Sequence, residues 1–171
     1  MDRSLGDGGM RLLAELGVAF DDYGEGWATA TWTPTELACN PAGAVHGGVY
    51  GVVHDAAMNF STNAALESGD RAATLELKYS TLRSARAGDE LSVRGEVVRL
   101  TRQVAFLETT ISDADQRPVS KGTGTFFVRR SASSRPPMFG ITRSVTRRWM
   151  ALAFRSTTRS ASLPLRASRT V

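Results

Sequence analysis

The sequence predicts an α+β domain in which one antiparallel sheet wraps around a single long helix. Three observations carry this. Val49, Val52, Val53, Ala56, Ala57, Phe60 and Ala64 recur at helical spacing. From about residue 73 the apolar period changes to two and stays there through several long segments joined by short turns, which implies antiparallel pairing. The helix comes early and no second long helix follows, so the sheet has one element on which to bury its inner face.

The elements follow in order. Met10 to Gly17 reads as a short amphipathic helix with Gly17 as its stop. Phe20 to Thr33 alternates Trp27, Thr29 and Thr31 against Ala28, Ala30 and Trp32, and ends at Pro34; it predicts one or two strands around a turn at Asp21 to Gly24. The long helix is expected over about 47–67, with Gly69 as its C-cap. Ala73, Leu75, Leu77 and Tyr79 then alternate with Thr74, Glu76, Lys78 and Ser80. After a turn at Ala85 to Asp89 come Leu91 to Val97, Val104 to Ile111, a hairpin at Asp113 to Arg117, and a last strand over Pro118 to Arg129. No internal repeat is visible.

Charge divides the chain at about residue 131. Residues 1–130 carry 13 basic and 17 acidic side chains, a net of −4, whereas 131–171 carry eight arginines and no acid. The basic balance therefore belongs to the tail and gives no reason to expect nucleic-acid binding by the body. We expect one domain over 1–130 and a Ser/Arg-rich tail over 131–171 that is disordered, with Trp149 to Phe154 its one cohesive piece, a candidate surface helix too short to be stable alone. The single cysteine, Cys39, excludes an intrachain disulfide framework and suits a reducing compartment. No apolar run approaches the ~18 residues of a membrane span. The first residues lack the pattern of a secretory signal, so a cytoplasmic location is expected.

The stretch that carries chemistry is Asn40 to Gly48 and the helix it opens. A turn rich in glycine feeding a helix leaves free backbone N–H groups, and the positive end of the helix dipole, facing one point. Such a point suits an anion, or an oxygen that becomes negative during reaction. The pattern Asn40-x5-His46-Gly47-Gly48-x6-Asp55, followed by Thr74-Leu75-Glu76-Leu77-Lys78-x3-Leu82-Arg83 and Ala87-Gly88-Asp89, resembles the hotdog-fold acyl-CoA thioesterases. The subgroup it looks most like is the phenylacetate-degradation type, related to 4-hydroxybenzoyl-CoA thioesterases. The likeness spans residues 10–130.

That resemblance implies a bent sheet around the central helix, a homodimer or a dimer of dimers, and hydrolysis of a small or aromatic acyl-CoA without a cofactor. It also implies roles. Asn40 matches the position that orients the thioester carbonyl or the attacking water, and Gly47 the oxyanion N–H. His46 is the loop histidine beside it, Asp55 the general base or nucleophile, and Thr74 an assisting hydroxyl. Strand alternation places Thr74 opposite Leu75 and Leu77 unless the start of that strand is irregular. His54 is not carried over as catalytic.

Thioester hydrolysis needs an activated water or nucleophile and a donor for the oxyanion, and Asp55 and Gly47 supply those two. Eight residues of continuous helix hold them about 12 Å apart, too far to serve one carbonyl. Either one of them is not catalytic or the two come from different chains. A twofold dimer with antiparallel central helices would bring Gly47 of one chain beside Asp55 of the other.

Other readings of the same residues stand beside these. His46 can simply hydrogen-bond the loop, Asn40 can shape the turn before Pro41, and Asp55 can be a structural acid. Cys39 as a thiol nucleophile has no orienting third group. With two histidines and no Cys/Asp cluster beside them, no metal site is expected, and the glycines lack the Gly-Lys-Ser/Thr of a phosphate loop. Arg83, Arg86, Arg102 and Lys121 are candidates for the CoA phosphates. The competing functions are a non-catalytic acyl-CoA or aromatic-ligand binder on the same fold, and a hotdog hydratase, which would need an acid–histidine pair that adjacent His54 and Asp55 do not form, since neighbours on a helix diverge by ~100°.

Overall fold

A computed structural model describes residues 5–131. The expectations placed on the tail, including Trp149 to Phe154, fall from residue 132 onward outside the described residues. A short helix, α1 (Arg11–Leu16), precedes strands β1 (Val18–Gly24) and β2 (Trp27–Trp32). A 3-10 turn at Glu36–Ala38 and the Asn40–His46 loop lead into α2 (Gly47–Ala65). Strands β3 (Arg71–Thr81), β4 (Leu91–Leu100), β5 (Val104–Ser112) and β6 (Pro118–Arg129) complete the domain. All six strands form one antiparallel sheet in the order β1-β2-β4-β5-β6-β3. The α2 crossover thus carries β3 to the far edge, where it pairs with the last strand.

Alternation decides which faces are buried. Ala28, Ala30 and Trp32 of β2 point inward, as do Leu91 and Val93 of β4 and Ala105, Leu107 and Ile111 of β5. The N-terminal half of α2 packs with α1, β1, β2 and β4 in one cluster containing Trp32, Tyr50, Val53 and Phe20. Its C-terminal half packs through Met58 on Leu107, Phe126 and Val128. Trp32 is fully buried, and its indole N–H is satisfied by the carbonyl of Leu16 at 2.9 Å. The helix touches the sheet closely at Gly95, where a Cβ would lie 2.7 Å from the carbonyl oxygen of Ala57. A side chain there would push the sheet off the helix.

Three local expectations are corrected. The β1–β2 turn sits at Glu25 and Gly26, not at Asp21 to Gly24. Gly26 adopts φ +79°, whereas Gly24 stays in the strand under the Trp27 indole. Helix α2 ends at Ala65 with Leu66 as its C-cap, and Gly69 (φ +94°) instead belongs to the turn into β3. In β3 the simple alternation fails. Thr74 pairs with Phe126 and Glu76 with Thr125, so Leu75 is an extra residue, a β-bulge. Leu75 is consequently 62% exposed, and Thr74 joins Leu77 and Tyr79 on the helix side of the strand.

Candidate functional site

The loop before α2 is held from both ends. Val45 N–H donates to the carbonyl of Ala85 and His46 N–H to that of Ala38, each at 2.8 Å. Asn40 closes the turn between them: its Oδ1 accepts from the N–H groups of Ala42 (2.9 Å) and Ala44 (3.3 Å). The side chain therefore has the turn-shaping role, and its amide nitrogen has no hydrogen-bond partner among the described residues.

His46 is the N-cap of α2, with Nδ1 accepting from Gly48 N–H at 3.1 Å. An imidazole nitrogen that accepts is unprotonated, so this histidine is a neutral cap in the arrangement seen. The cap bypasses Gly47. Among the described residues Gly47 N–H has no acceptor, and a Cβ on Gly47 would meet nothing within 4 Å. The first N–H of a 19-residue helix is thus left without a partner at the positive end of its dipole. It borders a cleft of about 300 Å³ lined by Val45, Gly47, Tyr50 and residues 81–84. Of the basic candidates, Arg83 lines this cleft while donating to the carbonyl of Pro118 at 2.7 Å, and Arg86 lies beside Gly43. Arg102, in the β4–β5 turn, and Lys121, on β6, do not line it.

Two turns along α2, Asp55 is half-buried and accepts from the Thr74 hydroxyl through Oδ1 at 2.6 Å. That length is typical of a hydroxyl on a carboxylate. The bulge at Leu75 makes the contact possible, because without it Thr74 would lie on the strand face away from Tyr79. Asp55 stands on a helix stripe with Gly48, Val52, Asn59 and Asn63, none of which the sheet fully covers. Gly47 and Asp55 lie in one unbroken helix, so their separation of about 12 Å stands. The chain therefore brings Thr74 to Asp55 and places Asn40 and His46 at the loop near Gly47, but it leaves these as two separate clusters.

His54, next to Asp55, points the other way. It is fully buried, with Nδ1 2.7 Å from the Thr109 hydroxyl and Nε2 2.8 Å from the Ser120 hydroxyl. Ser120 spends its single proton on the Ser80 carbonyl at 3.1 Å, so it must accept from Nε2–H. Nδ1 then accepts from Thr109, which defines a neutral tautomer. Gly122 keeps this space open, since a Cβ there would lie 3.0 Å from Nδ1. Burial pushes the His54 pKa down to about 4 from 6.5. Between those values the unfolded chain binds a proton that the native state refuses. Stability from this group is therefore complete above pH 6.5 and is lost as pH falls to 4, by about 3 kcal/mol. Denaturant unfolding followed across that range should show proton uptake on unfolding; a flat profile would exclude a neutral buried imidazole.

Sequence reasoning missed Tyr79. It reads as one more apolar strand residue, yet its hydroxyl donates to the Gly47 carbonyl at 3.1 Å. No local signal marks such a contact across 32 residues. Among the described residues no group of three or more His, Cys, Asp or Glu side chains gathers as a metal site would require, and no helix is long and apolar enough to cross a membrane.

Comparison with known proteins places this arrangement. The family described as the thioesterase superfamily matches residues 42–120, the stretch that runs from the loop through α2 into β6. Among solved structures, the thioesterase HI1161 of Haemophilus influenzae is 23% identical, with a TM-score of 0.64 over 69% of this chain and 82% of that one. The PaaI protein of the E. coli phenylacetic acid degradation operon is 24% identical, with a TM-score of 0.64 over 69% and 83%. A Streptococcus pneumoniae thioesterase solved with coenzyme A is 23% identical, with a TM-score of 0.61 over 65% and 87%. The match to the thioesterase superfamily thus covers the loop, the central helix and the following strands in order, and the likeness to these structures shows that the chain has the hotdog fold.

Proposed function

We propose that the protein is an acyl-CoA thioesterase that hydrolyses a small or aromatic acyl-CoA to the free acid and CoA, at sites shared between two subunits. The observation that carries this is the pairing of an unpartnered helix-start N–H at Gly47 with a Thr74-oriented carboxylate at Asp55 on the same helix. The match of residues 42–120 to the thioesterase superfamily and the coenzyme A held by the Streptococcus pneumoniae relative support the substrate class.

The 12 Å gap calls for a second subunit. Strand β3 supports one: it is eleven residues long, lies at the sheet edge, and is exposed over most of its length. A long open edge needs a cover. The half-covered stripe of α2 beside it, carrying Asp55, is a matching surface. A twofold axis here would set Gly47 of the partner subunit against Asp55. A water, or Asp55 itself, adds to the thioester carbon. In the water route Asp55 takes the proton, and in both routes the carbonyl oxygen becomes an anion held by the Gly47 N–H. Collapse breaks the C–S bond and releases CoA as thiolate, which takes up the proton held by Asp55 in the water route or one from solvent in the direct route; in the direct route a water then hydrolyses the acyl–Asp55 anhydride, freeing the acid and restoring the carboxylate. Asn40 stands at the same loop with a free amide nitrogen for the carbonyl or the water. His46 takes the Gly48 N–H in its cap and so leaves the Gly47 N–H open for the oxyanion.

The test is a hydrolysis screen over short, long and aromatic acyl-CoAs, with free thiol as the readout, on wild type and Asp55→Asn side by side. Turnover of short or aromatic thioesters by wild type alone is expected. Tight binding of these thioesters without turnover would instead establish a ligand-binding protein on the same fold.

A further inference from the structure

We infer that Tyr79 is a positioning residue for the Gly47 donor, fixing the start of α2 through its hydroxyl. The inference rests on Gly47 being the oxyanion donor of the proposed thioesterase.

An oxyanion donor is worth its full effect only when held at a set place before the charge develops. Gly47 is poorly equipped to hold itself. It begins a helix, where N–H groups lack intrahelical partners and the end frays. It has no side chain to pack, and Gly48 follows it, so two consecutive residues carry the largest backbone freedom available. The His46 side chain restrains Gly48 rather than Gly47.

Among the described residues the side-chain hydrogen bond to Gly47 comes from Tyr79, whose hydroxyl donates to the Gly47 carbonyl at 3.1 Å. The ring that delivers it lies along one face of α2, passing Gly51 and His54, which follow Gly47 by one and two turns. At Gly51 the absence of a Cβ makes room, since one would lie 3.0 Å from Cε1 and 3.2 Å from the hydroxyl oxygen of Tyr79. At His54 the two rings sit 5.5 Å apart at 34°, and that imidazole is itself held by Thr109 and Ser120. The hydroxyl is thus braced by a buried hydrogen-bonded group and by a strand paired with β6 from Arg71 to Thr81.

The bulge at Leu75 gives β3 a double task. Thr74 and Tyr79 are five apart, which in a regular strand would put them on opposite faces. With Leu75 extra, both turn to α2, Thr74 onto Asp55 and Tyr79 onto Gly47. One strand therefore sets both reacting groups of its own chain, each serving a different site of the dimer.

Tyr79→Phe keeps the ring and removes the hydroxyl. It should lower kcat about tenfold while leaving KM and the unfolding midpoint unchanged. Gly51→Ala, which keeps the hydroxyl but displaces the ring, should lower kcat in the same way. The deciding measurement combines Tyr79→Phe with Gly47→Pro, which lacks the N–H altogether. A residue acting through Gly47 has nothing left to position, so Tyr79→Phe should cost nothing further in that background. Additive losses would show that Tyr79 acts elsewhere and overturn the proposal, as would wild-type kcat in Tyr79→Phe, or a loss matched by a lowered midpoint. Full activity of Gly47→Pro by itself would instead remove the oxyanion assignment on which the inference stands.

Discussion

Asp55→Ala should lower thioester hydrolysis by about 10²- to 10⁴-fold, the range for a positioned acid–base group, while the protein keeps its fold and assembly. The stability half of this expectation follows from the surroundings. Asp55 is half-buried in the interior of α2, and its hydrogen-bond partner among the described residues is the exposed Thr74 hydroxyl, which water can satisfy once the carboxylate is gone. Alanine is the better helix former at an interior position by about 0.5 kcal/mol. An unfolding midpoint equal to or above that of wild type is therefore expected, together with an unchanged elution volume. A structural acid would behave in the opposite way, losing stability and retaining rate. Thr74→Val gives a graded companion. It preserves the strand and removes one hydroxyl–carboxylate bond, so its loss should be about ten- to a hundredfold, as for a hydrogen bond to a charged group. Asp55→Ala and Thr74→Val together should be no worse than Asp55→Ala alone, because the threonine has no carboxylate left to orient.

How much of this was legible in the sequence depends on how local each feature is. The central helix and its start were readable because period 3.6 and a glycine turn fall within 25 residues of one another, whereas the capping role of His46 came only with the structure. Gly47 and Asp55 could be set 12 Å apart from the rise of a helix alone. The strands from Leu91 onward were readable for the same reason, as each shows its own alternation and turn. The β1–β2 turn was misplaced because Gly24 and Gly26 look alike in sequence. One is glycine for a left-handed turn and the other for the approach of Trp27. The β3 bulge was not readable at all. A period-two count puts Leu75 inside, and only the pairing of Thr74 and Glu76 with consecutive residues of β6 throws it out. His54 looked like a neighbour of the candidate carboxylate Asp55, and its true surroundings, Thr109 and Ser120, lie 55 and 66 residues away. Sheet order belongs to the same class: β3 reaches the edge through the α2 crossover, which no local pattern encodes.

Gly47→Pro is expected to remove the oxyanion donor and nothing else. Proline is favoured at the first position of a helix, where its missing N–H has no intrahelical partner to lose. The preceding residue must be extended, and His46 already is, at φ −64° and ψ 133°. A side chain at position 47 meets nothing within 4 Å. The variant should therefore fold with wild-type or slightly higher stability, and lose about 10²- to 10³-fold in kcat, the cost of one backbone donor to an oxyanion. Pairing it with Asp55→Ala then tests whether a site draws on two chains. Co-expressed with two distinguishable tags, the two inactive variants form mixed dimers in which one site carries both substitutions and the other carries neither. Random assembly makes half the dimers mixed, so a population of two dead parents should regain about one quarter of wild-type activity, and purified mixed dimers about one half. If Gly47 and Asp55 instead acted within one chain, every site in the mixture would remain broken and the mixed dimers would be as inactive as their parents. The recovered activity thus reads directly whether the stretch from Asn40 to Asp55 holds one reaction centre or contributes to two.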